Sequence, residues 1–466
     1  MAETFTRDTS LVRAAYDPRH DPLTASNPGH GQDYAPTYWI ATGGPRPADD
    51  GPIGRDVDVD VAIIGSGYTG LACAIFLARE HGIRATVLEA NQAAWGCSSR
   101  NGGQALNSSG RLSRSQWIAR WGLDVARRMH REIAEGFATF KQLIADGRIE
   151  CDQQPGGHLF IAHKPAAFAR LAAEAKILRE QFGYVCEILS ADELRRRYVD
   201  EADTVGAMHE PEGIGVHPVK LAYGYLRMAR RLGVTVHPGS PVLGWEEKSG
   251  AYHLRTPGGT VRARAVAVAT GGYGTPGLHS LMRGRILPVL SNSIVTRPLT
   301  PEEKRACNFL TTQIITDTRL LRYYYRLLPD DRLQLGSRCA ITGAGAENPR
   351  HLRLLVEGLH RKFPPLTGID IDYHWWGWVD VSHDMMPRVV QPDPGQRIFY
   401  ALGYGGNGVM YSAQAGRRMA GQIAGKGTQP ELPIFASPLP SHPLAPFRRL
   451  GQRLLYKYYY LRDEVL

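Results

Sequence analysis

DVDVDVAIIGSGYTG, residues 56–70, is an apolar strand that runs directly into a glycine loop. YTGLACAIFLAREHG follows at 68–82, with apolar residues at helical spacing and Gly82 as the stop. RATVLEA (84–90) reads as a second strand, so the stretch is a complete βαβ unit. Gly65, Gly67 and Gly70 place G-x-G-x-x-G across the strand–helix junction. The first lets the chain turn, the second lets backbone approach a pyrophosphate, and the third lets helix pack on strand. The pyrophosphate then meets the helix N-terminus, where free N–H groups and the dipole favour negative charge. Glu89 stands 24 positions after Gly65, at the end of the second strand, as an acceptor for ribose hydroxyls. The glycines alone are a weak signal, and a chance turn beside a solvated Glu89 is the bland alternative. In the context of strand, helix and acid they read as dinucleotide binding.

Outward from this unit, 466 residues exceed one ordinary core and suit two interleaved domains. Hydrophobic content of 43% and charged content of 21% are those of a globular protein. The formal charge of +10 raises a nucleic-acid reading, but the basic residues scatter through helices such as ELRRRYV (193–199), with no base-reading motif around them. A solvated basic face plus attraction for anionic ligands is the reading taken, with no nucleic-acid partner. Cys73, Cys97, Cys151, Cys186, Cys307 and Cys339 form no C-x-x-C or C-x-x-H pair, so neither a metal site nor a redox disulfide is expected. The N-terminus lacks an apolar core behind basic residues and no apolar run reaches membrane-spanning length, which gives a cytoplasmic expectation.

Residues 1–55 read as an arm laid over the surface. Long helical stretches from 115 to 147 and 164 to 183 flank a short strand, GHLFIAH, and Ser190 with Glu193 forms a capping box. A β-meander turns at PGG (257–259) and feeds the buried strand Ala265–Ala269. Strand-like NSIVTRPL, RYYYRLLP and RLQLGSR and a helix near 349–363 fill the region 286–374. RIFYALGYGGNGVMYSAQAGRRMAGQIAG (397–425) is again strand, glycine loop, helix. The expected division is an arm at 1–55, a cofactor domain from 56–110, 206–285 and 375–425, a substrate domain from 111–205 and 286–374, and a tail at 426–466.

The βαβ unit does not choose between the nicotinamide and flavin dinucleotides. GCSSRNGGQ (Gly96–Gln104) follows the ribose strand directly, dense in backbone donors and carrying Arg100, where a nicotinamide domain would usually begin another βα unit. GYGGNGV (Gly403–Val409) opens a helix whose N-terminus would face negative charge developing on a reduced flavin. Ordinary turn chemistry is the alternative for each loop.

DVAIIGSGYTGLACAIFLARE, SSRNGGQ, His217–Pro218, AVAVATGG, YYYRLLPDDRLQLGS and GYGGNGV occur in an order that resembles the glycine oxidase/D-amino-acid oxidase superfamily. Within it the chain is most similar to the γ-glutamylputrescine oxidase branch, from about residue 37 to 425. The resemblance implies an α/β protein, with a discontinuous Rossmann-like FAD-binding domain and an α+β substrate domain on a mixed, largely antiparallel sheet. It implies FAD, held by Gly65, Gly67, Tyr68, Thr69, Gly70, Glu89, Ala90, Ser99, Arg100, Asn101, Gly102, Gly103, Gln104 and Val242. Thr270 and Gly271 pass near the adenosine half, and Gly405, Gly406, Asn407, Gly408 and Val409 lie beside the flavin ring. Two positions depart from the pattern. Asn407 stands where relatives often place histidine, and YYYRLLP offers no clear match for the arginine that amino-acid oxidases use on an α-carboxylate.

Flavin-dependent amine oxidation needs position and desolvation more than a catalytic triad. Alternation sends Tyr324 and Arg326 to one face of their strand and Tyr323 and Tyr325 to the other. Either pair can wall an amine, with Arg326 or Arg322 on a remote carboxylate; core aromatics with a snorkelling arginine are the alternative. Catalytic candidates are Tyr324, Arg326, His217 and Asn407, with a structural histidine at a loop–helix turn as the bland reading of His217. Cys339 is the cysteine expected nearest the flavin, which is taken as noncovalent. The tail PFRRLGQRLLYKYYYLRDEVL (446–466) is basic and aromatic at helical spacing, for docking on its own chain, on a subunit or on anionic lipid, the first being favoured.

The expectation is FAD-dependent oxidation of an amine, secondary or γ-glutamylated, by hydride transfer to flavin N5. The imine hydrolyses and oxygen or another acceptor takes the electrons. The alternatives are a dehydrogenase subunit serving a protein or quinone acceptor, and a non-catalytic flavin-binding module.

Overall fold

A computed structural model describes residues 20–25, 29–275, 277–280, 283–426, 429–442 and 444–464. The parts of the expected arm at 1–19 and 26–28, and the last two residues of the tail, lie outside the described residues.

The apolar half of Val57–Ile64 is buried on both faces, as a central parallel strand must be. It pairs in parallel with Thr86–Leu88 on one side and Gly259–Val268 on the other. Ile398–Leu402 and Thr235–His237 extend the parallel array, Arg388–Val390 closes one edge antiparallel, and the meander Trp245–Lys248 and Ala251–Thr256 hangs on the long strand. The helix Tyr68–His81 ends on Gly82 in the left-handed region, as its position predicts. It packs against the helix Tyr411–Ile423 under one face of this sheet.

A second eight-stranded sheet runs in the order 371–382, 286–298, 332–337, 324–327, 314–317, 158–162, 206–210, 187–190. All its pairings are antiparallel except Ile314–Asp317 on His158–Ala162. A two-stranded ribbon, Gln104–Leu106 with Gly213–Gly215, forms a separate antiparallel sheet. The mixed α/β architecture agrees with the sequence reading. Three boundaries differ from it.

The strand Ile371–Ser382 pairs with Ile286–Pro298 along its length, so the division expected at 374/375 falls inside one strand of the second sheet. Gly206–Glu210 also belongs to that sheet. The helix Arg114–Gly147, expected with the substrate domain, buries Trp117, Met129, Ile133, Phe137 and Phe140 in the same apolar cluster as the glycine-loop helix. A helix goes where its apolar stripe is covered, and these boundaries follow that burial.

The N-terminal segment is also not merely laid on the surface. Thr37 caps the helix Tyr38–Thr42, and Trp39 is 1% exposed, packed with Trp375, Trp376 and Trp378. At the other end the helix Arg448–Glu464 docks on its own chain. Asp463 accepts the backbone N–H groups of Leu320 and Leu321, Glu464 pairs with Arg319 and Arg361, and Arg449 pairs with Asp21. Its outer face leaves Leu450, Leu454 and Leu461 exposed. Among the described residues no helix is long and apolar enough to cross a membrane.

Candidate active site

A cleft opens at the carboxyl ends of the parallel strands, lined by Ile64, Leu88, Ala269 and Ala401. This is where ligands sit in open α/β sheets. Gly65 turns the chain there with φ +103°, and a Cβ would stand 2.7 Å from the Ala269 carbonyl. A Cβ on Gly70 would lie 1.9 Å from the Gly65 carbonyl, so the helix approaches the strand only because the side chain is absent. The glycine-loop helix begins on Gly67 without a side-chain cap, apart from Ser98 Oγ accepting from Tyr68 N–H. Its first N–H groups therefore meet the cleft.

Glu89 lines the same cleft just beyond the second strand. Its carboxylate accepts from the backbone N–H and hydroxyl of Ser66 and from Asn91 N–H. Burial nonetheless pushes its pKa up. Tyr68, Thr69, Gly67, Ala90, Val242, Thr270 and Gly271 complete the expected wall on this side. Thr270 Oγ1 and Arg100 Nη2 are buried without a hydrogen-bond partner in the protein. Arg100 is fixed by stacking 4.3 Å from the Trp95 ring.

A second cavity adjoins the first and shares Cys97, Asn101, Val379, Gly406 and Val409 with it. Arg100, Gly102, Gln104, Asn407 and Tyr324 line this side. The Tyr324 hydroxyl lies 2.9 Å from both Ser291 and Ser293 hydroxyls, and Asn407 donates to Gly110 O and Ser108 Oγ. Gly408 lies on the first cavity only.

Several expected residues stand behind these walls. Ser99 turns its hydroxyl back to Trp95 O, and Gly103 and Gly405 are backbone supports outside both linings. Arg326 lines neither cavity. It is 1% exposed and donates to Gln154 and to Val216 O, under Gly103 and Gly215, where a Cβ would lie 2.6 and 2.5 Å from its Nη atoms. The alternation put it on the face of Tyr324, but the two-stranded ribbon covers that end of the strand. Arg322, two positions before Tyr324, takes the open end. His217 is likewise set apart from the cavities. Its Nδ1 accepts Lys220 N–H as a helix cap and its Nε2–H donates to Thr42, while burial holds it down to about 3. It is a neutral structural histidine.

Sequence reasoning missed other lining residues. Arg111 and Arg338 face the second cavity, Tyr273, Asp380 and Tyr404 the first. Burial pushes Asp380 up to about 6, with Gly403 N–H donating to it. Cys97, rather than Cys339, is the cysteine in the walls, its thiol pushed up to about 12 by burial. Cys97 and Tyr404 lie inside the two glycine loops singled out above, whereas Arg111, Arg338, Tyr273 and Asp380 carry no periodicity or motif that marks them in the chain.

The profile of the DAO family, FAD dependent oxidoreductase, matches residues 60–422. The chain belongs to this family. The γ-glutamylputrescine oxidoreductase of Escherichia coli K12 is 31% identical over 445 residues, covering 93% of this chain and 99% of that protein. A probable oxidoreductase OrdL of Haemophilus influenzae is 29% identical over 80% of this chain and 85% of its own length. The glycine oxidase structure from Geobacillus kaustophilus superposes with TM-score 0.66 at 21% identity, over 83% of this chain and 99% of that one. As a DAO-family FAD dependent oxidoreductase the protein takes FAD, and the cleft fits it. The glycine turn that no Cβ could enter, the uncapped helix start and the orphaned Thr270 and Arg100 groups are what a dinucleotide would satisfy.

Proposed function

We propose that the protein oxidises an amine at its C–N bond, the substrate entering the second cavity and carrying a carboxylate away from the reacting carbon. The observation that supports this is the cavity itself, which shares a wall with the cofactor cleft and carries Tyr324, Asn407 and Arg322. FAD, when bound, accepts two electrons and a proton from the C–H bond as a hydride at N5. The chain supplies position and dryness. Gly65, Gly67, Thr69, Glu89 and Thr270 would hold the dinucleotide, and Asn101, Gly406 and Val409, on the wall shared by the two cavities, would stand on its reacting side. Tyr324, held by Ser291 and Ser293, walls the amine. Arg322 receives the distal carboxylate as a charge-assisted pair.

In this reading the parallel sheet is the cofactor unit and the antiparallel sheet the substrate unit. The amine is a secondary amine or a γ-glutamylated one, the class named for the Escherichia coli relative. The imine product leaves and hydrolyses, and oxygen returns the flavin. The test is anaerobic mixing with a library of amines, watching the flavin band. Bleaching by amines with a distal carboxylate, followed by peroxide on admitting air, is expected. A flavin that no amine reduces overturns the reading.

A further inference from the structure

Arg111, Arg322 and Arg338 line the second cavity together, and among the described residues no carboxylate stands at ion-pair distance from any of them. The pattern is unlike that elsewhere in the fold, where Arg319 meets Asp203, Asp317 and Glu464, and Arg418 meets Glu132 and Glu135. The three reach the cavity from separate places. Arg111 precedes the helix Arg114–Gly147, Arg322 precedes the strand Tyr324–Leu327, and Arg338 follows Arg332–Ser337.

Arg322 is fixed over the Phe160 ring at 4.7 Å, and its Nε is buried without a partner. The acids nearest to it are committed elsewhere, Asp317 to Arg319 and Lys362 and Glu210 to His158. Among the described residues no aspartate or glutamate lines the cavity. Burial and the neighbouring guanidiniums pull Arg322 down to about 10 and Arg111 well below its usual range. Confined like charges without counter-ions are costly, and a ligand that brings the anions removes that cost.

We infer that the substrate is an amine carrying two or more carboxylates, held by Arg111, Arg322 and Arg338 with its C–N end toward the cofactor cleft. This rests on the reading that the second cavity is where the amine meets the flavin. It also ranks the two amine classes above. A γ-glutamylated diamine offsets its one carboxylate with two ammonium groups and meets net repulsion in this cavity. An N-(carboxyalkyl) amino dicarboxylate matches it.

The test uses the FAD-loaded protein under anaerobic conditions, with amines graded by charge: sarcosine, iminodiacetate, N-(carboxymethyl)aspartate and γ-glutamylputrescine. Citrate serves as a polycarboxylate that cannot be oxidised at an amine. The half-saturating concentration for flavin bleaching is expected to fall roughly tenfold or more with each added carboxylate. Citrate should bind, perturb the flavin band and compete. Arg111→Gln and Arg338→Gln should each weaken citrate binding about tenfold to a hundredfold, while leaving the melting temperature without ligand equal or higher. That last sign separates a ligand site from a structural role, which would lower it.

Bleaching by sarcosine or γ-glutamylputrescine at equal or lower concentration than the polycarboxylates overturns the inference and leaves amine oxidation standing. Citrate binding with no bleaching by any amine supports the anion site and overturns the proposed reaction. Unchanged citrate affinity in both variants overturns the inference whatever the amines do.

Discussion

Glu89 accepts from both the backbone N–H and the hydroxyl of Ser66, at 3.0 and 2.7 Å, so the acid of the second strand also fastens the glycine loop of the first. The sequence placed Glu89 at an open strand end with one task. With two tasks, Glu89→Ala should weaken FAD binding roughly tenfold to a hundredfold and also loosen the loop. Glu89→Gln, which keeps acceptors for Ser66, should recover part of the affinity. Equal FAD titrations of the wild type and Glu89→Ala apo-proteins would move the ribose contact elsewhere.

Arg322 and Arg326 lie four residues apart, the first just before the strand Tyr324–Leu327 and the second within it, and should behave in opposite ways. Arg322→Gln raises the substrate concentration for half-maximal flavin reduction with little effect on melting, because a carboxylate held alike in ground and transition states is uniform binding. Arg326→Met strips partners from Gln154 and Val216 in the buried interior and should cost about 1–3 kcal/mol of stability. Reversed results would return Arg326 to the substrate.

Asp380 sets a pH dependence. Its folded pKa is about 6 against an ordinary 3.8, so the folded state binds the proton more tightly than the unfolded chain. The stability it contributes is full below about pH 4 and is lost as the pH rises through 6, about 3 kcal/mol for a shift of this size. Asp380→Asn keeps an acceptor for Gly403 N–H and does not titrate. The difference in unfolding free energy, wild type minus variant, should therefore shrink between pH 4 and 7. A level difference across that window contradicts the assignment.

Lys362 and Glu201 are both fully buried and 2.7 Å apart, with Asp317 at 3.1 Å from the same ammonium. Lys362→Met strands these carboxylates beneath the second sheet and should destabilise the protein by about 3–5 kcal/mol, read by denaturant unfolding. A loss under 1 kcal/mol would show the cluster to be wet.

The purified protein should be yellow and should release its flavin as FAD on acid precipitation. The Cys97 thiol borders the cleft but, pushed up to about 12, stays protonated and a poor nucleophile. Colour retained in the pellet, and lost in Cys97→Ser, would establish a covalent link.

The βαβ unit was legible because glycine spacing, strand and helix reinforce one another over adjacent residues. The expected cofactor loops Gly96–Gln104 and Gly403–Val409 do border the two cavities for the same reason. What stayed hidden depends on distant pairings. Nothing in YYYRLLP says that a ribbon from residues 104 and 215 will cover Arg326 and leave Arg322 open. Arg111 and Arg338 sit at element ends without periodicity, and only the fold brings them to one cavity. The boundary inside Ile371–Ser382 was missed because its sheet is set by the distant partner strand Ile286–Pro298, which nothing in its own residues names.

The helix Arg448–Glu464 has a further consequence for assembly on the ribosome. Its anchors, Asp21, Leu320, Leu321, Arg319 and Arg361, are all synthesised before it. Until Glu464 emerges, Arg319 and Arg361 share one fewer carboxylate, so the second sheet is held short of a counter-charge. Emergence of this helix then acts as a late closing step, joining early and late parts of the chain through the Asp21–Arg449 pair at 2.7 Å.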